Sequence, residues 1–416
     1  QLSRLKKTLR QAVKSPFYSR VFKNHRISPE KIKNLEEVRN LPFTTKEDLR
    51  KEFPYGFLTM AKEKIVRVHS SSGTTGRAVA VFHTPKDLDG WANLVARCMY
   101  MAGVRNGDVF QNMVGYGLFT GGLGFQYGAE RLGALTIPSG SGNSKRQITL
   151  MRDFETTVIH IIPSYALHLR KVFEEMNLDP KKDTKLRIAL IGAEPHSEAT
   201  RQRIEEMYGI EAFNSYGLSE MNGPGVAFEC PRKTGMHFWE DDFLVEVIDP
   251  ATQKVLPDGE EGELVFTTLN REAMPLIRYR SKDLATIFTD SCPCGRTHRR
   301  ISRIKGRSDD MFILKGVNIF PLQIDTTLMN IPEVGTNYLV VLEREPENFQ
   351  DRMIVRVEVR PEFFKGDLWQ LERLRRQITE ALKSELLVTP KVELVEPDTL
   401  PKSEGKAVRV VDRREM

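Results

Sequence analysis

The chain has 416 residues, which is too long for one ordinary core and long enough for two or three domains. Hydrophobic residues make up 40% and charged residues 28%, so the composition is that of a soluble globular protein, and the net charge of +6 suits a protein that handles several phosphates. No basic run is interleaved with aromatic residues, which argues against nucleic acid as a partner, and no apolar run is long enough to cross a bilayer.

The cysteines and the N-terminal segment indicate a compartment. Four cysteines in a chain of this size are too few for a disulfide framework, and Cys98 lies in a helical stretch that is typical of a core position. Gln1 to Arg20 is basic and amphipathic without an apolar secretory core. We therefore expect a cytoplasmic protein. Because the chain opens on Gln, we expect the true N-terminus to lie upstream.

The first two-thirds of the chain alternate between strand and helix patterns. Gln1 to Phe22 is predicted to be one helix, with Leu2, Leu5 and Leu9 on one face. A loop from Leu41 leads into a capped helix. Val66–His83 is then predicted to form two strands around a Gly-rich loop. A helix at Leu88–Tyr100 and a strand at Val109–Val114 follow, and after them come two strand–helix units at Thr157–Glu175 and Leu186–Tyr208. This alternation predicts an α/β sheet with helices on both faces.

The pattern changes twice in the last third. After Pro231 the predicted strands are short and joined by turns, which indicates a small β subdomain. After Ile304 two further strands and a helix at Leu368–Leu386 form a small α+β unit. We predict a large N-terminal domain over 1–306 and a small C-terminal domain over 307–416.

The sharpest local signal is the run Ser70-Ser-Ser-Gly-Thr-Thr-Gly-Arg77. Small residues let backbone N–H groups approach a phosphate closely, and the hydroxyls add donors. A plain turn between two strands is the competing interpretation. The order of residues excludes a Walker loop, because Arg77 and Ala78 follow Gly76 where that loop has Lys and Ser or Thr.

This run resembles the phosphate loop of the adenylate-forming superfamily of acyl-CoA synthetases. Four more segments resemble superfamily motifs in the same order: Asn214–Glu220, Tyr279–Asp283, Gly306–Asp310 and Pro401–Lys406. Within the superfamily the chain is similar to the phenylacetate–coenzyme A ligase family, through Leu41–Lys46, Tyr116–Gly122, His237–Asp241 and Cys292–His298. The resemblance implies a two-step reaction, in which ATP and Mg²⁺ activate a small aromatic acid as an acyl-adenylate and coenzyme A then takes the acyl group.

The resemblance also implies roles for single residues. Thr75 would have a catalytic role as well as a phosphate-binding one. The phosphates would be held by Ser71, Ser72, Gly73, Thr74, Thr75 and Gly76. The adenosine would be held by Glu194, Pro195, Ser215, Tyr216, Gly217, Asp283 and Arg307. Glu220 would bind Mg²⁺, since a hard cation prefers carboxylate oxygen, although a carboxylate after Ser219 is also typical of a helix N-terminus.

The implied catalytic group is Lys406, whose ammonium would counter charge between the carboxylate and the α-phosphate. Without the motif around it, Lys406 is one more surface lysine. A lysine so near the C-terminus reaches the site only if the small C-terminal domain is a mobile lid that closes over the large domain, and Asp309 is the predicted hinge. The acyl pocket is predicted at Tyr116, Phe119, Thr120 and Gly192, a set that ordinary core packing would also explain.

Cys230, His237, Cys292 and Cys294 are predicted to form a structural zinc site. The short Cys-x-Cys spacing leaves unligated cysteines as the alternative, and His298 competes with His237 as the ligand.

Two other functions stay open at this point. One is a coenzyme F390 synthetase-like adenylyltransferase, which would transfer AMP to a deazaflavin, and the other is a non-catalytic nucleotide-binding relative. Phenylacetate leads among the acids, with indoleacetate, benzoate-like and hydroxylated acids as alternatives. A homodimer fits the habit of the family.

Overall fold

The computed structural model describes residues 1–70, 78–315, 317–344, 350–364, 368–401 and 408–414. Its first two helices are α1 (Leu2–Ala12) and α2 (Pro16–Asn24). The prediction of one continuous helix over Gln1–Phe22 is therefore wrong. Pro16 lacks the N–H that a continuing helix needs, so it begins α2 instead, and the Ser15 side chain accepts a hydrogen bond from the Tyr18 N–H to cap that helix.

The body is built on parallel strands covered by helices. Its helices are α3 (Lys46–Lys51), α4 (Pro85–Met101), α5 (Thr120–Leu132), α6 (Ser144–Asp153), α7 (Pro163–Glu175), α8 (Pro180–Asp183) and α9 (Glu198–Tyr208). Its first strands are β1 (Arg67–Ser70), β2 (Ala80–His83), β3 (Val109–Asn112), β4 (Leu135–Ile137), β5 (Val158–Ile161), β6 (Ile188–Gly192) and β7 (Glu211–Tyr216). Strands β4, β3, β5, β6 and β7 lie side by side in that order, all parallel. Strands β5 and β6 are buried along their whole length, as strands covered on both faces must be.

An antiparallel region continues the same sheet. Its strands are β8 (Ala227–Glu229), β9 (Met236–Phe238), β10 (Phe243–Ile248), β11 (Glu261–Thr268), β12 (Tyr279–Phe288), β13 (Arg300–Ile301) and β14 (Gly306–Arg307). The short strand β13 pairs with both β12 and β9, and β9 reaches β7 through β8. The predicted β subdomain is thus joined to the parallel strands edge to edge.

The C-terminal unit has a hydrophobic core of its own, centred on residues such as Ile324, Val340, Val355 and Ile378. Its elements are β15 (Phe312–Leu314), β16 (Val317–Ile319), α10 (Pro321–Met329), β17 (Val334–Arg344), β18 (Asp351–Val359), α11 (Leu368–Leu386), β19 (Lys391–Val395) and β20 (Val410–Asp412). Its main sheet has the order β19, β18, β17 and β20. We call this unit the lid.

Helix α9 of the body contacts the lid. The Arg203 guanidinium is buried and donates to the carbonyl oxygens of Ile331, at 2.9 Å, and Val334, at 3.2 Å. At the start of the helix, the Thr200 hydroxyl donates to the Asp325 carboxylate of α10 at 3.2 Å. These bonds seat the lid on the body near the carboxyl ends of β6 and β7. Within the described residues, no helix combines the length and apolar character that crossing a membrane requires, and the cytoplasmic location stays a prediction.

Candidate active site

A cavity of about 170 Å³ lies where β6 and β7 end, the edge at which open α/β sheets bind ligands. The predicted adenosine-binding residues that line it are Glu194, Pro195, Ser215, Tyr216, Gly217, Asp283 and Arg307. They come from the loop after β6, from the end of β7 and the residue after it, from β12 and from β14. The structure therefore brings together residues that span more than a quarter of the chain.

Asp283 is the buried charge of this cavity. The Tyr216 hydroxyl donates to its Oδ2 at 2.6 Å, and Arg307 donates to its Oδ1 at 3.1 Å. Burial raises the pKa of Asp283 to about 6, while the Arg307 guanidinium pulls that pKa down. Arg307 also donates to both carboxylate oxygens of Asp309, at 2.9 and 3.0 Å. The Arg307 guanidinium therefore bridges Asp309, the predicted hinge residue, and Asp283, the predicted ribose-binding carboxylate.

The loop after β6 packs tightly against the end of β7. A Cβ on Gly192 would lie 2.4 Å from the Ser215 carbonyl oxygen, so only glycine fits this close approach. The Glu194 carboxylate accepts from the backbone N–H of Ser164 at 2.6 Å and from its hydroxyl at 3.1 Å, at the start of α7. These contacts fix the loop, and its backbone borders the cavity.

Glu220 lies in a short 3₁₀ helix, Ser219–Met221, and is 4% exposed. Its Oε1 accepts no hydrogen bond from the part of the chain that the structure describes. The Lys46 ammonium lies 3.7 Å from that atom and forms an ion pair with it. A buried carboxylate oxygen with a vacant acceptor position fits a Mg²⁺ ligand.

Lys46 is a residue to which the sequence analysis gave no role. It sits at the first position of α3, where the Thr45 and Asp48 side chains form the expected capping box. The cap orients the helix start toward Glu220. The only signal in the sequence was the place of Lys46 at the end of the Leu41–Lys46 segment.

The predicted phosphate loop, Ser71, Ser72, Gly73, Thr74, Thr75 and Gly76, lies outside the described residues, as does Lys406. The strands on either side of the loop are described. Ser70 pairs with Ala80 in the β1–β2 hairpin, and the Ser70 N–H donates to the Leu118 carbonyl at 3.0 Å. The Ser70 end of the hairpin thus lies beside the Tyr116–Gly122 segment.

That segment holds the predicted acyl-binding residues. Thr120 is buried, and its hydroxyl lies 3.2 Å from the Ser219 hydroxyl, next to Glu220. The Tyr116 hydroxyl accepts from the Asn112 amide at 3.0 Å, and burial raises the pKa of Tyr116 to about 12. Phe119 is 37% exposed, so it is not a core residue. Thr120 of this segment therefore lies beside the residue that precedes the predicted metal-binding carboxylate.

The predicted zinc ligands form a cluster. One ligand atom from each of Cys230, His237, Cys292 and Cys294 lies within 4.8 Å of the others. The His237 Nδ1 lies 2.9 Å from the His298 carbonyl oxygen, which leaves Nε2 facing the Cys294 sulfur at 3.3 Å. Three thiols and one imidazole nitrogen suit a tetrahedral zinc ion. His298 instead places its ring 3.8 Å from the Glu240 carboxylate.

Comparison with known proteins decides the family. The AMP-binding enzyme family matches residues 24–270, and its AMP-binding enzyme C-terminal domain matches residues 316–414. Phenylacetate-coenzyme A ligases from Aromatoleum evansii and Pseudomonas putida are each 44% identical over 100% of this chain and over 94% and 93% of their own lengths. The chain belongs to the phenylacetate–coenzyme A ligase family. The predicted enzyme class, an AMP-forming acid–thiol ligase that uses ATP and coenzyme A, is confirmed, and so is the fold class.

A solved relative appears in two states. Crystal structures of 2-hydroxyisobutyryl-CoA ligase, 33% identical, cover 100% of this chain and match it over 89% of theirs. The TM-score is 0.93 for the postadenylation state in complex with 2-HIB-AMP and 0.72 for the thioesterification state with 2-HIB-AMP and CoA. The lid of this member of the phenylacetate–coenzyme A ligase family therefore sits on its body much as in the postadenylation structure.

Proposed function

We propose that this chain converts phenylacetate, or a closely similar small aromatic acid, to its coenzyme A thioester. The carboxylate attacks the α-phosphorus of ATP and expels diphosphate, giving an acyl-adenylate. The thiol of coenzyme A then attacks the acyl carbon and expels AMP. The observation that carries the proposal is the cavity at which Tyr216, Asp283 and Arg307 meet, in a chain 44% identical to phenylacetate-coenzyme A ligases.

The nucleotide roles follow from this arrangement. Asp283 and Arg307 hold the ribose hydroxyls, with Tyr216 and the Glu194–Pro195 backbone against the adenine. Ser71–Gly76 hold the β- and γ-phosphates, and Lys406 faces the α-phosphate when the lid is closed. Glu220 holds Mg²⁺, which supplies charge neutralisation at the phosphates. Lys46 balances the Glu220 charge when the metal is absent.

The acid is held on the other side of the α-phosphate. Tyr116 and Phe119 provide aromatic walls, and Thr120 lies near the carboxylate end because its hydroxyl is beside Ser219. Gly192, the last residue of β6, permits the close approach of that strand to Ser215 of β7. The Asn112 amide donates to the Tyr116 hydroxyl and fixes that ring in one orientation.

The test is a panel of aryl acids assayed for diphosphate release and for coenzyme A-dependent thioester formation. The proposal predicts both products with phenylacetate, at a kcat/KM above those for benzoate and indoleacetate. Release of diphosphate without thioester, together with AMP transfer to a deazaflavin, would establish the F390 synthetase-like alternative. Nucleotide binding without turnover of any acid would establish a non-catalytic protein.

We further propose that the Cys230–His237–Cys292–Cys294 cluster binds a structural Zn²⁺ that joins the β8–β9 region to the loop before β13. Metal analysis of the native protein should find about one zinc per chain. Cys292→Ser should lose the metal and melt at a lower temperature, whereas Cys98→Ala, a buried cysteine outside the cluster, should keep it. Native protein without zinc contradicts the proposal.

A domain boundary at 306/307 and a dimer remain predictions. The boundary lies between the two family matches, which end at 270 and begin at 316.

A further inference from the structure

Two residues that border the nucleotide cavity, His196 and Arg303, each have a buried polar atom to which the proposed function gives no role. His196 follows Pro195 directly and is 4% exposed, and its Nε2 has no hydrogen-bond partner among the described residues. Arg303 lies between β13 and β14, and its Nη1 atom is also buried without a hydrogen-bond partner among the described residues. Both residues border the same cavity as Tyr216 and Asp283. Buried polar atoms without partners cost free energy, and a ligand in the cavity could satisfy both of them.

The hydrogen bond on the other ring nitrogen of His196 sets the chemistry of Nε2. Nδ1 lies 3.2 Å from the carbonyl oxygen of Glu194, and a carbonyl oxygen can only accept. The ring proton therefore sits on Nδ1. Burial, reinforced by the nearby Arg303 guanidinium, lowers the pKa of His196 to about 3, so the ring is neutral at physiological pH. Nε2 then presents a lone pair and acts as an acceptor.

Arg303 provides a hydrogen-bond donor, and its guanidinium is held in place. Its Nη2 donates to the Glu198 carboxylate at 2.7 Å and lies 3.4 Å from the Glu229 carboxylate. Glu229 is itself buried and accepts from the Asn214 N–H at 2.8 Å. Because two carboxylates on different elements hold Nη2, the guanidinium cannot turn freely. Nη1 is left as a donor without a partner among the described residues, and Arg303 borders the cavity.

An acceptor and a donor in one cavity wall match an edge of adenine. The 6-amino group of adenine donates, and the neighbouring ring nitrogen, N1 or N7, accepts. Guanine and hypoxanthine carry an oxygen at position 6, which would face the His196 lone pair without a proton between them. We propose that His196 and Arg303 select adenine, with His196 Nε2 accepting from the 6-amino group and Arg303 Nη1 donating to the adjacent ring nitrogen. This inference rests on the proposed function in one respect, that the cavity receives the base of ATP.

The test removes the 6-amino group from the nucleotide and the acceptor from the protein. Wild type, His196→Phe, His196→Gln and a control, His25→Phe, are compared with ATP, purine riboside triphosphate and inosine triphosphate, by equilibrium binding and by kcat/KM. His25 is an exposed histidine at the end of α2. Wild type and the control should prefer ATP to purine riboside triphosphate by about tenfold, the effect of one hydrogen bond. Inosine triphosphate should be worse still.

His196→Phe should treat ATP and purine riboside triphosphate alike, within about twofold, while His196→Gln, whose amide oxygen can accept, should recover part of the preference. A merely structural role would lower binding of all the nucleotides together. Equal use of ATP and purine riboside triphosphate by wild type, or an unchanged preference in His196→Phe, overturns the inference.

Replacing ATP with 1-deaza-ATP or 7-deaza-ATP in wild type tests the Arg303 contact. If neither analogue binds more weakly than ATP, the proposed role of Arg303 is overturned. Wild-type thioester formation from ATP tests the proposed function separately, and the binding measurement does not depend on it.

Discussion

At the scale of single residues, Asp283 is the most constrained group of the cavity. Both of its oxygens accept hydrogen bonds, from Tyr216 and from Arg307, and its side chain is buried. Ribose hydroxyls are donors, so they bind an ionised carboxylate better than a neutral one. The state of this one carboxylate should therefore govern how well ATP binds.

Asp283→Asn should lower kcat/KM for ATP by about tenfold to a hundredfold, the value of a hydrogen bond to a charged group. The pKa of Asp283 is raised to about 6, so the free enzyme loses the carboxylate charge as the pH falls through that value. Wild-type kcat/KM should consequently drop below about pH 6. The measurement is the pH profile of kcat/KM for ATP, in which Asp283→Asn should lack this drop.

Asp153→Asn is the matched control, because Asp153 is an exposed carboxylate at the end of α6. It should keep the wild-type rate and profile. If Asp283→Asn instead keeps a wild-type rate at pH 7.5, or shows the same loss of activity below pH 6 as wild type, Asp283 does not bind the nucleotide in its charged form.

Several site residues could be named from short motifs alone, but their partners could not. Tyr216 and Asp283 were each assigned to the nucleotide, yet the bond between them joins residues 67 positions apart and depends on how β7 meets β12. The approach of Lys46 to Glu220 likewise joins the start of α3 to a loop after β7. Such pairs are set by tertiary packing, which no local pattern records.

At the scale of elements, apolar periodicity predicted most strands and helices, including α11 with both of its observed ends and α9 with its observed end at Tyr208. It failed where a single residue interrupts a periodic face, as Pro16 does between α1 and α2. It also could not show that β13 would join the antiparallel strands to the parallel ones, because that strand has only two residues. Helix α9 has a second role that its sequence does not reveal, as the surface on which the lid rests.

Arg203→Ala should weaken this contact between the lid and α9. The change removes buried donors from the Ile331 and Val334 carbonyls and leaves those acceptors unpaired, a cost of about 2 kcal/mol. Adenylation should slow by about tenfold. Thioester formation from preformed acyl-adenylate should change by less than about twofold, because the related ligase places its lid differently in that state. The two half-reactions are measured separately by stopped-flow or quenched-flow kinetics.

Gln202→Ala removes an exposed side chain of the same helix and should leave both half-reactions unchanged. Equal slowing of both steps by Arg203→Ala would mean that Arg203 supports overall stability rather than one position of the lid.

At the scale of the whole molecule, the chain consists of a body with the proposed nucleotide cavity and a lid with a separate core. The sequence predicted a lid because a superfamily motif lies far from the others, near the C-terminus. The sequence did not predict whether the lid would take its position for adenylation or its position for thioester formation, since the lid consists of the same residues in both. The TM-scores of 0.93 and 0.72 against two states of one relative distinguish them.

The central claim is that a lysine of the lid completes the adenylation site held by the body. The most direct measurement compares Lys406→Ala with wild type in two assays, acid-dependent diphosphate exchange with ATP and conversion of preformed phenylacetyl-adenylate to the thioester. We predict that Lys406→Ala loses adenylation by at least about a hundredfold, the scale on which one charge-stabilising group contributes to catalysis, and keeps thioester formation within about threefold of wild type. Equal loss in both assays, or adenylation at the wild-type rate, would contradict the claim.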